Sequence, residues 1–157
     1  MSRKAKALYQ EALRIVSTSK SKRSRAEAAA LLERAYAAGS AEAALAIANW
    51  LHYGIHYTRD QVRELELLRY AIAHEVTDAY LPLASYYEEG IPGVLRADSK
   101  KAFQHYVQAA LAGDADAFME VGRCYHYGIG TRKSAALAEI WLQAGEMRGG
   151  RFVARED

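Results

Sequence analysis

The sequence has little of what several special classes of protein require. Its one cysteine, Cys124, cannot form a disulfide within the chain, and two prolines and eleven glycines are too few for a disordered or fibrous chain. No stretch approaches the roughly 20 apolar residues that cross a bilayer. The polar and basic residues 1–10 lack the apolar centre of a signal peptide. These absences favour a cytoplasmic protein with no membrane partner.

An excess of charge of one sign is missing too. The net charge is +2, which does not predict nucleic-acid binding. Lys20, Lys22, Arg23 and Arg25 form a local basic run, which we interpret as solvated surface at a helix junction rather than as a phosphate-binding patch. The composition that remains, 51% hydrophobic and 25% charged in 157 residues, is sufficient for the core of one domain.

The strongest positive signal is an internal repeat. Three segments carry an aromatic-rich stretch followed by a glycine, and these glycines are 36 and 38 residues apart. The segments are 47–54, 83–90 and 121–128. A second block aligns after each glycine. It comprises residues 67–71, 105–109 and 140–144. Because glycine ends a helix cheaply, the pattern predicts helix, turn and helix in each copy.

No alternating strand pattern is present, so we assign no sheet. Thr58 or Asp60, Asp98 or Ser99, and Asp114 are plausible N-caps of the helices that follow them. The prediction is an all-α chain of eight helices. They span about 3–17, 23–38, 41–53, 60–74, 78–89, 99–112, 115–127 and 134–147.

Small residues recur at one place in the first helix of each copy. Ala12, Ala48, Ala84 and Gly122 are equivalent in the alignment. A small side chain there lets the partner helix approach closely, towards the short end of the roughly 8–10 Å range of helix packing. Each helix pair then leaves an apolar face that the next pair can cover.

These residues resemble a known family. The pattern small-x-x-Tyr-x-x-Gly, an acidic residue, Lys-Ala-x-x-x-Tyr and Ala-Ala-x-x-Gly is similar to the Sel1-like repeat, a relative of the tetratricopeptide repeat. The copy at 84–113 fits best, the range 41–149 fits well and 3–40 fits weakly, with Glu75 standing where Gly113 does in the best copy. The resemblance implies a right-handed α-α superhelix, a solenoid of about four helix-turn-helix pairs. It implies partner binding on a concave face, no cofactor and no shared reaction.

The resemblance also sets the predicted domain organisation. We predict one repeat domain over 1–147 and a flexible C-terminal tail over 148–157. Within the domain, the repeats are a degenerate first pair at 3–40 and clearer copies at 41–76, 77–114 and 115–149.

A candidate partner surface can be assigned from helical spacing. In the first clear copy Ala44, Ile47, Ala48 and Leu51 form the predicted buried stripe, and residues on another face follow an i, i+3, i+7, i+10 course. In related tetratricopeptide repeats that face lines the peptide groove. Ordinary exposed surface is an equally good interpretation of these positions. The candidate concave-face residues are Glu42, Leu45, Asn49, His52, Tyr53, Asp78, Leu81, Ser85, Glu88, Asp116, Met119, Arg123, His126 and Tyr127.

Aromatic residues add a second clue to that surface. Tyr53, Tyr57, Tyr86 and Tyr127 lie near predicted helix ends, where we expect partial exposure. Tyrosine is a favoured interface anchor because it buries much area with few torsions.

Catalytic and metal-binding patterns are lacking. His52 and His126 are equivalent positions two repeats apart, too far for one metal ion whose bonds are about 2 Å long. Cys124 and His126 point to different sides of a helix, so they do not form a nucleophile and base pair. We predict no catalytic residue, no metal and no cofactor.

The predicted function is therefore a non-catalytic module that binds another protein or peptide, as an adaptor or regulator. An immunity protein that neutralises a cognate toxin is one alternative, and a hydrolase or small-ligand-binding protein is another. Ile140, Trp141 and Leu142 on the last helix suggest a further possibility, a homodimer.

Overall fold

The fold is described by a computed structural model that covers residues 2–150. Eight α-helices lie in that range, and no β-strand does; an isolated bridge joins Ile91 and Leu95. A short 3-10 helix, Thr77–Ala79, precedes the fifth helix. The helices are α1 (Arg3–Thr18), α2 (Lys22–Ala37), α3 (Ala41–His52), α4 (Gln61–Ala73), α5 (Tyr80–Glu89), α6 (Ser99–Leu111), α7 (Ala115–Tyr127) and α8 (Ala135–Glu146). The predicted all-α class and the eight predicted helices are confirmed.

Side-chain caps determine where several helices begin. Of the paired candidates, Asp60 caps α4 and Asp98 caps α6, each accepting backbone N–H bonds of the first turn. Asp114 caps α7 in the same way. Each carboxylate satisfies amide groups that have no partner within the helix, and its charge interacts favourably with the helix dipole.

The second helix of every repeat ends in the same turn. Near the end of the helix, a backbone carbonyl accepts a hydrogen bond from the amide of the residue five positions later. The residue just before that amide has a positive φ. The four pairs, acceptor first, are Ala35 and Ser40, Ala71 and Val76, Ala109 and Asp114, and Gly145 and Gly150. Glu75, with a φ of 65°, does occupy the place of Gly113.

This turn corrects the predicted alignment of the last copy. Gly145, not Ala144, is the equivalent of Ala109, so the block 140–144 was shifted by one residue. The error arose because the sequence offers alanine at 144 and glycine at 145, and only the hydrogen bonds distinguish the two registers.

The corrected register reveals one exception in the core. Ala28, Glu64, Ala102 and Ala138 are equivalent positions in the second helices. All four are buried, so α4 carries a carboxylate where the three other second helices carry a methyl group.

The described helices divide into two compact units, of which the first ends at residue 76 and the second begins at residue 77. In the first unit each helix packs on the next along the chain, and Leu32, Ile47, Leu51 and Leu68 fill the interior. The predicted buried stripe of α3 is confirmed, because all four of its members are buried.

In the second unit α5 to α8 pack on one another in chain order. Its core is centred on Tyr106 and Val121, surrounded by buried alanines and by Cys124. Phe103 and Tyr125 meet edge to face with ring centroids 5.4 Å apart, and Phe118 and Trp141 pack at 5.3 Å. The core of this unit therefore combines small residues with large aromatic ones.

The predicted tail is described only at its start. Arg148 donates to the carbonyl of Ala144, and Gly150 is buried at the turn that ends α8. Residues 151–157 lie outside the described part of the chain, and the single repeat domain over 1–147 stays a prediction.

The close approach between α7 and α8 occurs at Gly122. A Cβ atom added there would lie 2.7 Å from both Cγ and Cδ2 of Leu142. Gly122 is equivalent in position to the buried alanines at 12, 48 and 84. At Gly122 even the Cβ atom that those alanines carry would collide with Leu142.

We expect Gly122→Leu to lower the free energy of unfolding by about 1–3 kcal/mol, because the added side chain must displace Leu142. Urea denaturation of both proteins measures the difference. Ala136→Leu, at an exposed position of α8, is the control and should change stability little. Equal effects of the two substitutions would contradict the tight approach.

Candidate functional site

The candidate residues of the first unit line α3 from its start to its end. Glu42 and Leu45 are half-buried, whereas Asn49, His52 and Tyr53 are exposed. The side chain of Glu42 accepts a hydrogen bond from the hydroxyl of Ser40, the N-cap of the helix. The C-terminal part of α3 is therefore the exposed part of the predicted surface.

His52 contacts a residue that the sequence analysis did not select. Its Nδ1 atom lies 3.0 Å from Oε1 of Glu64, the buried carboxylate of α4. The signal was present in the sequence, since Arg63–Glu64 aligns with Lys101–Ala102 in the family pattern. A charged side chain at a position of small residues is unusual in a core.

The candidate residues of the second unit lie at different depths. Asp78, Asp116, His126 and Tyr127 are exposed, and Leu81, Ser85 and Glu88 are half-buried. Met119 and Arg123, expected on the partner surface, are buried instead. Met119 packs where Gly145 of α8 has no side chain, and Arg123 is enclosed by acidic and aromatic groups. Neither offers a partner appreciable surface.

Arg123 joins three helices of the second unit. Its guanidinium donates to Oε2 of Glu88 on α5 at 2.6 Å and to Oε2 of Glu120 on its own helix at 2.7 Å. The hydroxyl of Tyr106 on α6 donates to the same Glu88 oxygen at 2.9 Å. Helical spacing selected Glu88 and Arg123 for the candidate partner surface, but it did not select Tyr106 or Glu120.

The electrostatics of this network fit a permanently charged centre. Burial alone would lower the pKa of Arg123, but hydrogen bonds to Glu88 and Glu120 outweigh it and raise that pKa further above its ordinary value. Burial also raises the pKa of the Tyr106 phenol, and the negative charge of Glu88 adds to the increase. Both groups therefore keep their protons, so the network binds the helices together rather than moving protons.

The exposed aromatic residues form a repeated arrangement. His52 and Tyr53 meet edge to face with centroids 4.9 Å apart, and His126 and Tyr127 do the same at 4.6 Å. Tyr53 is 74% exposed and Tyr127 is 52% exposed, as predicted. Tyr86 was predicted to be partly exposed, and this was wrong. It is buried because its position faces the core, like Cys124 in the next copy.

The chemistry available to the described residues is limited. Within residues 2–150 no group of three or more His, Cys, Asp or Glu side chains is placed to hold a metal ion. Cys124 is buried, and burial raises the pKa of its thiol to about 12. A buried, protonated thiol is a poor nucleophile.

The apolar residues of α8 are partly covered. Ile140 is exposed, but Trp141 and Leu142 are half-buried against α7. The homodimer through this helix stays a prediction. None of the helices in the described range combines the length and the apolar character needed to cross a bilayer.

Comparison with protein families identifies the repeat by sequence. The family described as Sel1 repeat matches this chain four times, at residues 19–40, 41–74, 77–114 and 115–149. These matches cover most of the sequence, including seven of the eight helices.

The chain spans 21% of the curated protein it matches and 60% of the first of two similar crystal structures. Chitin synthase regulatory factor 1 of Schizosaccharomyces pombe is 33% identical over 94 residues, which are 59% of this chain and 21% of that protein. The crystal structure of a Sel1 repeat protein from Oxalobacter formigenes superposes with a TM-score of 0.79 at 23% identity, covering 94% of this chain and 60% of that one.

A second crystal structure has a similar fold. It is c5321, a protective antigen of uropathogenic Escherichia coli strains described as displaying an SLR fold. Its TM-score is 0.83 at 19% identity, over 93% of this chain and 31% of that one. At these identities the likeness concerns the fold, and it confirms the predicted α-α solenoid class.

We expect Arg123→Met to lower the free energy of unfolding by about 3 kcal/mol or more, because Glu88 and Glu120 would lose the charge that offsets their burial. Arg14→Met is the matched control. Arg14 pairs with Glu11 at the surface, where such a pair contributes about 0–1 kcal/mol. Thermal or urea unfolding measures both, and similar losses would show that the network contributes no more than a surface pair.

A further prediction concerns the reactivity of Cys124. The folded pKa of about 12 exceeds the ordinary value of 9.0, so the protonated thiol stabilises the fold fully below about pH 9. That contribution is lost as the pH rises from 9 towards 12.

At about pH 8, iodoacetamide should leave the native thiol of Cys124 unmodified and should alkylate it in denaturant. Rapid alkylation of the native chain would disprove the burial of this thiol.

Proposed function

We propose that this chain, which belongs to the Sel1 repeat family, binds a partner protein or peptide and acts as an adaptor or regulator without catalysing a reaction. Stacked repeats expose side chains along their helices, and such surfaces are suited to extended binding. The similar fission-yeast protein is named a regulatory factor, and we extend only the idea of regulation through binding to this chain.

The repeated His–Tyr pair is the observation that carries this proposal. One pair lies at the C-terminal end of α3 and another at that of α7, with the same edge-to-face geometry. The equivalent positions on α5 are Glu88 and Glu89, so the pair is not required by the repeat itself. An exposed tyrosine whose ring is braced by a neighbour loses little conformational freedom on binding.

The remaining candidate residues fit a supporting role. Asn49 and Asp116 are exposed on the same helices as the pairs, and polar groups of this kind form the rim of interfaces. Arg123 holds α7 against α5 and α6 and contributes rigidity rather than contact area. A rigid support lowers the entropy that binding must overcome.

A toxin-neutralising immunity protein is a special case of the same activity. It would use the same exposed tyrosines, and a retained partner that is a toxin and loses its activity when bound would establish it. The hydrolase alternative has less support, because no Ser, Thr or Cys side chain of residues 2–150 hydrogen-bonds to His52 or His126.

We expect the double variant Tyr53→Ala, Tyr127→Ala to lose the partner that the native chain retains. Truncating one anchoring tyrosine costs about 2 kcal/mol, or about 30-fold in Kd. The measurement is affinity purification from the native cell with each bait, followed by titration of the identified partner.

Leu111→Ala is the matched control, since Leu111 on α6 is 71% exposed but lies outside the predicted surface. It should retain the partner as the native chain does. Full retention by the tyrosine variant, or an equal loss with the leucine variant, would remove the proposed surface.

A further inference from the structure

The further inference concerns Glu64, which the packing of the fold does not explain. The other second helices have alanine at the equivalent position. Glu64 is 2% exposed, and its Oε2 atom has no hydrogen-bond partner among the described residues. A buried carboxylate with an unsatisfied oxygen costs stability. The residue therefore has the character of a functional exception within a regular core.

Glu64 uses its other oxygen to hold His52. Oε1 lies 3.0 Å from Nδ1 of His52, whose side chain is 46% exposed. Arg63, the neighbouring cation on α4, pairs instead with Glu33 of α2. Within residues 2–150, His52 is thus the group that compensates the Glu64 carboxylate.

This contact distinguishes the two nitrogens of the His52 ring. A carboxylate accepts hydrogen bonds, so the neutral ring carries its proton on Nδ1 when Glu64 is ionised. The Nε2 atom makes no hydrogen bond within the described range. Nε2 is therefore a free acceptor on a half-exposed ring next to Tyr53, with a negative charge behind it.

We propose that Glu64 is a positioning residue, which fixes His52 by Nδ1 so that Nε2 accepts a hydrogen bond from an N–H or O–H donor of the partner. This inference rests on the proposed function. It adds which chemical group of the partner binds beside Tyr53, namely a hydrogen-bond donor. The negative charge of Glu64 favours an electropositive donor, such as an amide or a basic side chain.

The second His–Tyr pair provides a control inside the same molecule. Position 138, the equivalent of Glu64, is alanine, and His126 contacts Tyr127 without a hydrogen bond in the described part of the chain. The two histidines therefore differ in the presence of a carboxylate at Nδ1, and the proposal predicts that their rings differ in protonation site.

The first test measures the ring nitrogens of the full chain by NMR after labelling histidine with 15N. In the native chain the neutral His52 ring should carry its proton on Nδ1. Glu64→Gln should retain this preference, because the amide oxygen can still accept, whereas Glu64→Ala should lose it. His126 should be unchanged in all three proteins. A proton on Nε2 of native His52, or the same ring state with and without Glu64, overturns the proposal.

The second test separates positioning from stability. Glu64→Ala restores the alanine of the other repeats and should leave Tm unchanged or raise it by about 2–4 °C. His52→Ala should lower Tm when Glu64 is present, because neither carboxylate oxygen then has a partner, and should have little effect beside Glu64→Ala. A fall in Tm for Glu64→Ala as large as that for Leu65→Ala, a truncation in the core of the same helix, would make Glu64 a structural residue and refute the inference.

The third test adds the partner identified with the native chain. Glu64→Ala should weaken its binding about as much as His52→Ala does, although the fold is not destabilised. Unchanged affinity in the Glu64→Ala variant contradicts the positioning role. Because the NMR and Tm measurements need no partner, their failure leaves the proposed roles of Tyr53 and Tyr127 intact. If the tyrosine variants still retain the partner, the NMR result on the protonation site of the His52 ring is unaffected.

Discussion

The packing of the described helix pairs depends on a small buried residue at one equivalent position of each first helix. Ala48 and Ala84 are buried at that place, and Gly122 has no room for even a methyl group beside Leu142. Dispersion and apolar burial act only over such short separations. The repeated spacing of small residues therefore sets the distance between helices, and the large residues one turn away fill the remaining volume.

The same constraint decides where polar side chains can be accommodated. Arg123 tolerates burial because Glu88 and Glu120 accept two short charge-assisted hydrogen bonds from its guanidinium. Glu64 has only His52 for one of its oxygens. A charged group is tolerated at such depth only while its hydrogen-bonding partners remain in place. The first network connects helices within the core, whereas the second connects the core to an exposed ring.

Regularity explains which features the sequence could predict. The helix ends to within about two residues, the cap at Asp114, and the exposure of Tyr53 and Tyr127 follow from local spacing, and the structure agrees with them. The burial of a side chain cannot be predicted from the spacing of residues along its own helix. Met119 was placed on a surface, but its side chain is covered because Gly145 leaves space for it on α8. A face of one helix cannot be classed as exposed until the residues of its neighbour are known.

The exceptions to the repeat are therefore more informative about function than the repeat itself. Alignment of the copies identifies what the fold requires, and a residue that departs from it without improving packing needs another explanation. The His–Tyr pairs depart at the ends of α3 and α7, where α5 carries two glutamates, and Glu64 departs directly behind one of those pairs. Two departures from a regular core that touch each other at one exposed ring are best explained by a single task, the recognition of a partner at that ring.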